Sequence, residues 1–215
     1  PRIDPRRLLR ESARHGGDIV VLPRRQRLAR IEPIIAIVDI SGSMSGYSRM
    51  FLHFLHALIN APRAHAGGLR SAAFVFGTRL TAITRALRAR DPDDAVSRVT
   101  RGVPDFSGGT RIGACLRDFN RLWAKRLPLA EATVLLVTDG LERSEAELLE
   151  REAARLKRSC RRLIWLNPLL RYGGFEPQAR GVRALLPHAG ELRPIHDLES
   201  LERLADLLAD TRSWR

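Results

Sequence analysis

Five side chains with oxygen atoms occur at positions where they could share one cation. Two are carboxylates at the ends of apolar segments, two are serines in an Asp-x-Ser-x-Ser motif, and one is a threonine after two glycines. Carboxylate and hydroxyl oxygens are hard donors, which suit Mg²⁺, Mn²⁺ or Ca²⁺ and not a soft metal. The sequence therefore predicts a site for one divalent cation. Its expected ligands are Asp39, Ser41, Ser43, Thr110 and Asp139.

The two acidic residues follow segments that have the pattern of buried strands. Asp39 comes directly after residues 34–38, which are continuously apolar, as is typical of a strand covered on both faces in a parallel sheet. Asp139 follows residues 133–137, another segment with the pattern of a buried strand, after the single residue Thr138. In open α/β sheets ligands bind at the carboxyl ends of the strands, near the point where the strand order reverses. We therefore expect both carboxylates at that edge.

The hydroxyl residues have ordinary structural roles open to them as well. Ser41 and Ser43 could be loop residues, and Thr110 would be a good N-cap for the helix that follows it. In an extended chain, however, residues at i, i+2 and i+4 face the same side, so both serines would converge with Asp39, and Gly42 would let the backbone bend. The combination favours the cation site over separate caps and turns.

The rest of the chain alternates between strand and helix patterns. Strands are predicted at residues 34–38, 72–76, 80–83, 133–137, 163–166 and 191–195, the third possibly forming a hairpin with the second at the sheet edge. Helices are predicted around 50–59, from Asp91-Pro92, over 112–123, from a Ser144/Glu147 capping box to about Arg158, and over 198–208. This alternation predicts an α/β fold with a doubly wound, mainly parallel six-stranded sheet flanked by helices.

The length of 215 residues and a hydrophobic content of 44% fit a single core. We assign residues 33–215 to this domain and residues 1–32 to a basic N-terminal extension, in which Ile3–Ala13 could be a helix and Asp18–Leu22 a strand. The apolar runs are shorter than the roughly 20 residues that a membrane span needs. The chain begins at Pro1 without a leader pattern, so we expect a fragment with no export signal.

Cysteine usage and charge bear on the setting and the partners. Cys115 and Cys160 lie in amphipathic or apolar patterns, so we expect two free thiols and a reducing cytoplasm.

The formal charge of +13 raises the alternative of nucleic-acid binding. Only Lys125 and Lys157 are lysines, so 35 of the 37 basic residues are arginines. They are spread along the chain apart from a cluster at residues 24–30, which favours compositional bias and makes nucleic acid an improbable partner.

The Asp39-x-Ser41-x-Ser43 motif with Thr110 and Asp139 resembles the metal-ion-dependent adhesion site (MIDAS) of von Willebrand factor A (VWA) domains, over residues 33–210. The resemblance implies a Rossmann-like VWA fold and a non-enzymatic protein-binding module. In that family the serines and the threonine typically contact the cation, and the carboxylates often act through water. One coordination position stays open for a Glu or Asp of the protein partner.

A narrower resemblance points to the CoxE-like bacterial branch of the family. The segments that carry it are 38–44, 106–110, 165–168 and 185–188. Members of this branch are associated with MoxR-type AAA+ ATPases that act as chaperones in the maturation of metalloenzymes. The resemblance therefore implies Mg²⁺, or Mn²⁺ or Ca²⁺, as the cofactor, a MoxR-type ATPase as the partner, and a metalloenzyme as the client.

The enzymatic alternative is phosphoryl transfer or hydrolysis at the same Asp/Ser cation site. A haloacid-dehalogenase motif would need a second Asp where Ser41 stands, and Met44 occupies the centre of the only segment resembling Gly-x-Ser-x-Gly. The chain has no phosphate-binding Gly-rich loop of the Walker type, and its histidines lack metal-ligand spacing. We therefore expect no enzymatic activity.

Overall fold

A computed structural model describes the chain in five stretches and two short strands. The chain divides into two compact units, residues 1–30 with 211–215 and residues 31–210. The described residues are 32–61, 71–103, 109–142, 145–171 and 179–209, with β1 (Arg2–Ile3) and β2 (Arg24–Arg25).

In the first unit, β1 and β2 pair antiparallel, with Arg2 opposite Arg25. The predicted start of the helix expected at Ile3–Ala13 is wrong, because Ile3 lies in β1. The remainder of that helix and the strand expected at Asp18–Leu22 lie outside the described residues. The boundary between residues 32 and 33 stays a prediction.

The second unit contains a six-stranded sheet in the order β5-β4-β3-β6-β7-β8. All neighbours are parallel except β4 and β5, which form the expected antiparallel pair at the edge. The predicted doubly wound α/β class is confirmed. The strands are β3 (Ile34–Asp39), β4 (Ala72–Phe76), β5 (Leu80–Ala82), β6 (Thr133–Val137), β7 (Arg162–Asn167) and β8 (Glu191–Pro194).

Helices cover both faces of this sheet. The longer ones agree with the apolar stripes of the sequence, whereas α2 and α6 are too short to show a helical period and were not predicted. The helices are α1 (Ser45–Asn60), α2 (Thr84–Leu87), α3 (Pro92–Gly102), α4 (Ile112–Leu122), α5 (Ala146–Ser159), α6 (Arg180–Leu185) and α7 (Leu198–Ala209). The described residues also contain 3-10 turns at Gly42–Met44, Leu129–Glu131, Pro168–Arg171 and Leu186–His188.

Alternate residues of each strand enter two separate cores. Val38 and Val75 pack with α1, α2, α3 and α7 on one face, and Ile37 and Phe74 pack with α4, α5 and α6 on the other. Because both faces are covered, β4 and β6 are buried throughout, which explains why β4 is continuously apolar and why β6 is apolar after Thr133.

Local signals account for where the helices begin. The Asp91 side chain accepts a hydrogen bond of 2.8 Å from the amide of Asp94, and Pro92 occupies the first position of α3, as expected. The N-cap of α5 is Glu145, so the capping box expected from Ser144 and Glu147 is wrong by one residue, and Ser144 itself lies outside the described residues. Among the described helices, none combines the length and the apolar character that a membrane crossing requires.

Candidate metal centre

The candidate site lies where the strand order reverses. From β3 the chain passes to β4 on one side, and β6 later pairs with β3 on the other side. Val38 is opposite Val137 in the register of β3 and β6, so Asp39 and Thr138 are the next positions at the carboxyl edge. Asp139 follows directly. The fold therefore brings both predicted acidic residues to one edge of the sheet.

Asp39 is the last residue of β3 and is fully buried. Its Oδ1 accepts a hydrogen bond of 2.9 Å from the amide of Ser41, and its Oδ2 accepts one of 2.8 Å from the hydroxyl of Thr138. Burial raises the pKa of Asp39 from 3.8 to about 6, because the charged form loses its hydration. Hydrogen bonds from Ser41 and Thr138 oppose this rise in pKa, and the negative charge of Asp139 adds to it.

The two serines converge through a turn and not through extended chain. Ser41 is extended, but Gly42–Met44 forms a 3-10 turn closed by a hydrogen bond of 2.9 Å from the Met44 amide to the Ser41 carbonyl. The hydroxyl oxygens of Ser41 and Ser43 are 3.3 Å apart, and Ser41 is buried whereas Ser43 is exposed. The expectation of an extended i, i+2, i+4 pattern is wrong because the chain must leave the sheet to begin α1.

Thr110 is held at the same edge by the neighbouring strand. It is 5% exposed, and the amide of Arg111 donates a hydrogen bond of 3.0 Å to the carbonyl of Gly77. Gly77 directly follows Phe76, which is opposite Asp39 in the register of β3 and β4. The hydrogen bond to Gly77 therefore holds the segment of Thr110 next to Phe76, the residue that is opposite Asp39 in the sheet. The preceding residues 104–108, which include part of the predicted Gly-rich segment, lie outside the described residues.

Glu142 caps the start of helix α4, a role that was the alternative to cation binding for Thr110. Helix α4 begins at Ile112, and the amide of Gly113 in its first turn donates a hydrogen bond of 2.8 Å to Glu142 Oε2. Glu142 lies three residues after Asp139, so this bond joins the loop of Asp139 to the start of α4. Sequence analysis missed Glu142, because a cap from a distant loop leaves no local pattern.

A tight turn after β6 fixes the position of Asp139. It is 1% exposed, and its Oδ1 accepts a hydrogen bond of 2.9 Å from the amide of Leu141. Gly140 has a φ of 78°, which side chains with a Cβ rarely adopt, and a Cβ there would lie 3.0 Å from Trp165. The Gly140 amide in turn donates to the hydroxyl of Thr138 at 3.1 Å. The second residue that sequence analysis missed is therefore Thr138, which lies between the two carboxylates.

The electrostatics of the edge suit a positive ion. Asp39 and Asp139 are both buried, and within the described stretches neither forms an ion pair with an Arg, Lys or His nitrogen. A buried charge is costly unless it is paired. The same stretches contain no group of three or more His, Cys, Asp or Glu side chains that could hold a metal. The donor set is thus two carboxylates with neighbouring hydroxyls, which fits a hard cation.

Both cysteines are free, as expected. Burial raises the pKa of the Cys115 thiol to about 12 and that of Cys160 to about 11, because the thiolate would lose its hydration. Thiolate is the form that binds metals and attacks disulfides, so these two residues behave as small apolar side chains.

A family model described as VWA domain containing CoxE-like protein matches residues 1–201 of the chain. No curated protein matches it. The match covers most of the chain, and all five predicted ligands lie within the matched residues.

Solved structures of VWA-type proteins are similar in fold. Proximal thread matrix protein 1 from the mussel byssus has a TM-score of 0.57 at 21% identity, over 84% of this chain and 47% of its own. The form of that protein with a zinc-occupied MIDAS motif has a TM-score of 0.55 at 19% identity, with the same shares covered. Manganese-loaded TRAP protein of Plasmodium vivax has a TM-score of 0.50 at 25% identity, over 75% of this chain and 63% of its own. This chain thus spans about half the length of the mussel protein, and the likeness concerns the fold.

Proposed function

Because this chain belongs to the family of VWA domain containing CoxE-like proteins, we propose that it is a non-catalytic module that binds a protein partner through one divalent cation. The observation that carries this proposal is the pair of buried carboxylates, Asp39 and Asp139, at neighbouring strand ends beside serine hydroxyls. The proposed ligands are Asp39, Ser41, Ser43, Thr110 and Asp139.

The proposed ligands would have two kinds of role. The hydroxyls of Ser41, Ser43 and Thr110 would contact the cation, and Asp39 and Asp139 would act directly or through bound water. Neutral hydroxyls do not cancel the charge of the ion, so a bound Mg²⁺ would supply an electrophilic position for an incoming carboxylate. Mg²⁺ is the proposed cation, with Mn²⁺ or Ca²⁺ as alternatives. The zinc-occupied MIDAS motif of the mussel protein and the manganese-loaded form of the Plasmodium protein support a divalent ion here.

We propose a MoxR-type AAA+ ATPase as the partner, with a Glu or Asp that completes the cation site. Membership of the CoxE-like family supports this partner and a chaperone role in maturation of a metalloenzyme. The absence of a disulfide between Cys115 and Cys160 supports action in a reducing cytoplasm.

The test is binding of the purified chain to a MoxR-type ATPase from the same source, measured by biolayer interferometry. Asp39→Ala and Thr110→Ala should abolish binding in Mg²⁺ while circular dichroism shows a retained fold, because both residues lie at the sheet edge. Chelator should abolish binding of the unmodified chain. Ser97→Ala, which removes an exposed hydroxyl on α3, is the matched control and should bind normally. A folded Asp39→Ala chain that has lost its metal and binds with unchanged affinity would contradict the proposal.

A further inference from the structure

A groove of about 580 Å³ adjoins the candidate metal centre. Thr110 belongs to its lining, so the groove is continuous with the proposed cation site. One wall is formed by the start of α4 and the other by the start of α5, where Glu145 and Leu148 lie. The groove is therefore a place where a chain that reaches the cation could continue along the surface.

Two arginines give this groove a positive wall. Arg111 precedes α4 and Arg117 lies on it, and both side chains are exposed. Within the described stretches, Arg111 forms no ion pair. Arg117 Nε lies 3.7 Å from Asp118 Oδ1, but both of these side chains are almost half exposed, and such pairs contribute little. Among the described residues of the lining, Glu145 is the one that is acidic.

We propose that this groove receives a second acidic side chain of the same partner segment that reaches the cation. This inference rests on the proposed function, and it adds the class of partner: an acidic segment with at least two carboxylates, not a single Glu or Asp. Arg111 directly follows Thr110 in the chain. A partner segment whose first carboxylate reaches the cation beside Thr110 could therefore present its second carboxylate to Arg111. A guanidinium matches a carboxylate in a bidentate geometry, which makes arginine suited to this contact.

Binding at two points would explain selectivity for such a segment. Once one carboxylate is held at the cation, the second binds at a high effective concentration, so two modest contacts combine into a stronger one. The arginine contacts are exposed and therefore weaken with salt. The partner is thus selected by the spacing of its carboxylates as well as by the metal.

The probe is a fluorescent hexaglutamate peptide, with a peptide that carries a single glutamate among alanines as its comparison. Binding to the full chain is measured by anisotropy in Mn²⁺ at about 0.15 M salt. Arg111→Gln and Arg117→Gln should each weaken hexaglutamate binding about threefold, and the double variant about tenfold, as expected for exposed charge pairs. The single-glutamate peptide should be affected less than twofold by the same variants.

The matched control is Arg121→Gln with Arg158→Gln, which has the same net charge and changes exposed arginines outside the groove. It should retain the affinity of the unmodified chain for hexaglutamate. Equal loss in this control would show attraction by general charge and overturn the proposal, as would no binding to the unmodified chain or no effect of the groove variants. A titration of Mn²⁺ by electron paramagnetic resonance reports the metal site separately. No Mn²⁺ binding, or peptide binding that persists in chelator, would contradict the proposed function, whereas insensitivity to the arginines contradicts the groove.

Discussion

The hydroxyl of Thr138 donates a hydrogen bond of 2.8 Å to Oδ2 of Asp39, across the boundary between β6 and β3. The same hydroxyl oxygen accepts a bond of 3.1 Å from the amide of Gly140. Thr138 therefore links the first carboxylate of the candidate site to the loop that holds the second, Asp139. Its backbone carbonyl is fixed as well, because Trp165 Nε1 donates to it at 2.9 Å.

Replacement of Thr138 by Val should therefore destabilise the chain and weaken cation binding. Loss of this hydrogen bond to the buried carboxylate should lower the free energy of unfolding by about 1–3 kcal/mol. Because the bond from Thr138 lowers the pKa of Asp39, that pKa should rise further above about 6. Urea unfolding in chelator measures the loss of stability, and calorimetric titration with Mg²⁺ measures the loss of affinity. Thr138→Ser keeps the hydroxyl and should lie close to the unmodified chain. A valine variant as stable as the serine variant would show that the bond contributes nothing.

Asp39 should make the metal-free chain less stable as the pH rises. Its pKa in the folded chain, about 6, is above the ordinary value of 3.8, so the folded state binds the extra proton between these values. The bound proton therefore stabilises the folded chain fully below pH 3.8, and this stabilisation is lost as the pH rises to about 6. The free energy of unfolding should fall by about 3 kcal/mol over this range. Asp39→Asn should therefore stabilise the metal-free chain at pH 7 and remove that part of the pH dependence.

Urea unfolding across this pH range, in chelator, measures the effect. Asp94→Asn is the contrasting control, because Arg98 lowers the pKa of that exposed carboxyl and the dependence should have the opposite sign. If the difference in stability between the Asp39→Asn variant and the unmodified chain does not change with pH, Asp39 does not titrate in this window.

A bound cation should stabilise the folded chain in proportion to its affinity. At a free concentration of one hundred times the dissociation constant, one site contributes about 2.7 kcal/mol. Thermal unfolding with increasing Mg²⁺ or Mn²⁺ should show this gain, and metal analysis should find one ion per chain. Ser41→Ala and Thr110→Ala should reduce the gain, whereas Ser97→Ala should not. An equal gain in all three variants would locate the ion elsewhere.

Gly181→Ala should disturb the loop that holds Asp139. A Cβ at Gly181 would lie 2.3 Å from the carbonyl oxygen of Gly140 and 2.7 Å from Cβ of Glu142, so the backbone must shift. We expect a loss of about 1–3 kcal/mol in unfolding free energy, together with weaker Mg²⁺ binding. Gly102→Ala is the control, because a Cβ there meets nothing within 4 Å. Unchanged Mg²⁺ affinity in Gly181→Ala would show that this packing does not position Asp139.

The chain should not turn over nucleotides or phosphoesters. The expected donor set includes no general acid and base pair beside the cation, and the sequence has no Walker-type phosphate loop. Release of phosphate from ATP and from p-nitrophenyl phosphate, measured in Mg²⁺, should equal the rate without protein. Steady hydrolysis that survives repurification and disappears in Asp39→Asn would instead support the phosphoryl-transfer alternative.

The sequence by itself determined the fold class and the candidate ligands. Residues 34–38 and 134–137 are apolar without interruption because their strands are covered on both faces, and that pattern is local in the chain. Asp39 directly follows the first segment and Asp139 follows the second after Thr138, so their place at one sheet edge followed from the parallel arrangement. The short helices α2 and α6 gave no such signal, because a few residues do not establish a helical period.

Only the tertiary structure decided how the edge is held together. The bond from Thr138 to Asp39 joins residues 99 positions apart, and the bond from Gly113 to Glu142 joins residues 29 positions apart. The pKa of Asp39 also depends on burial by the whole fold. Local periodicity carries no information on such contacts, because they depend on which strands become neighbours and on where the chain turns. For the same reason, the serines of the motif meet through a 3-10 turn that the alternation of the sequence did not predict.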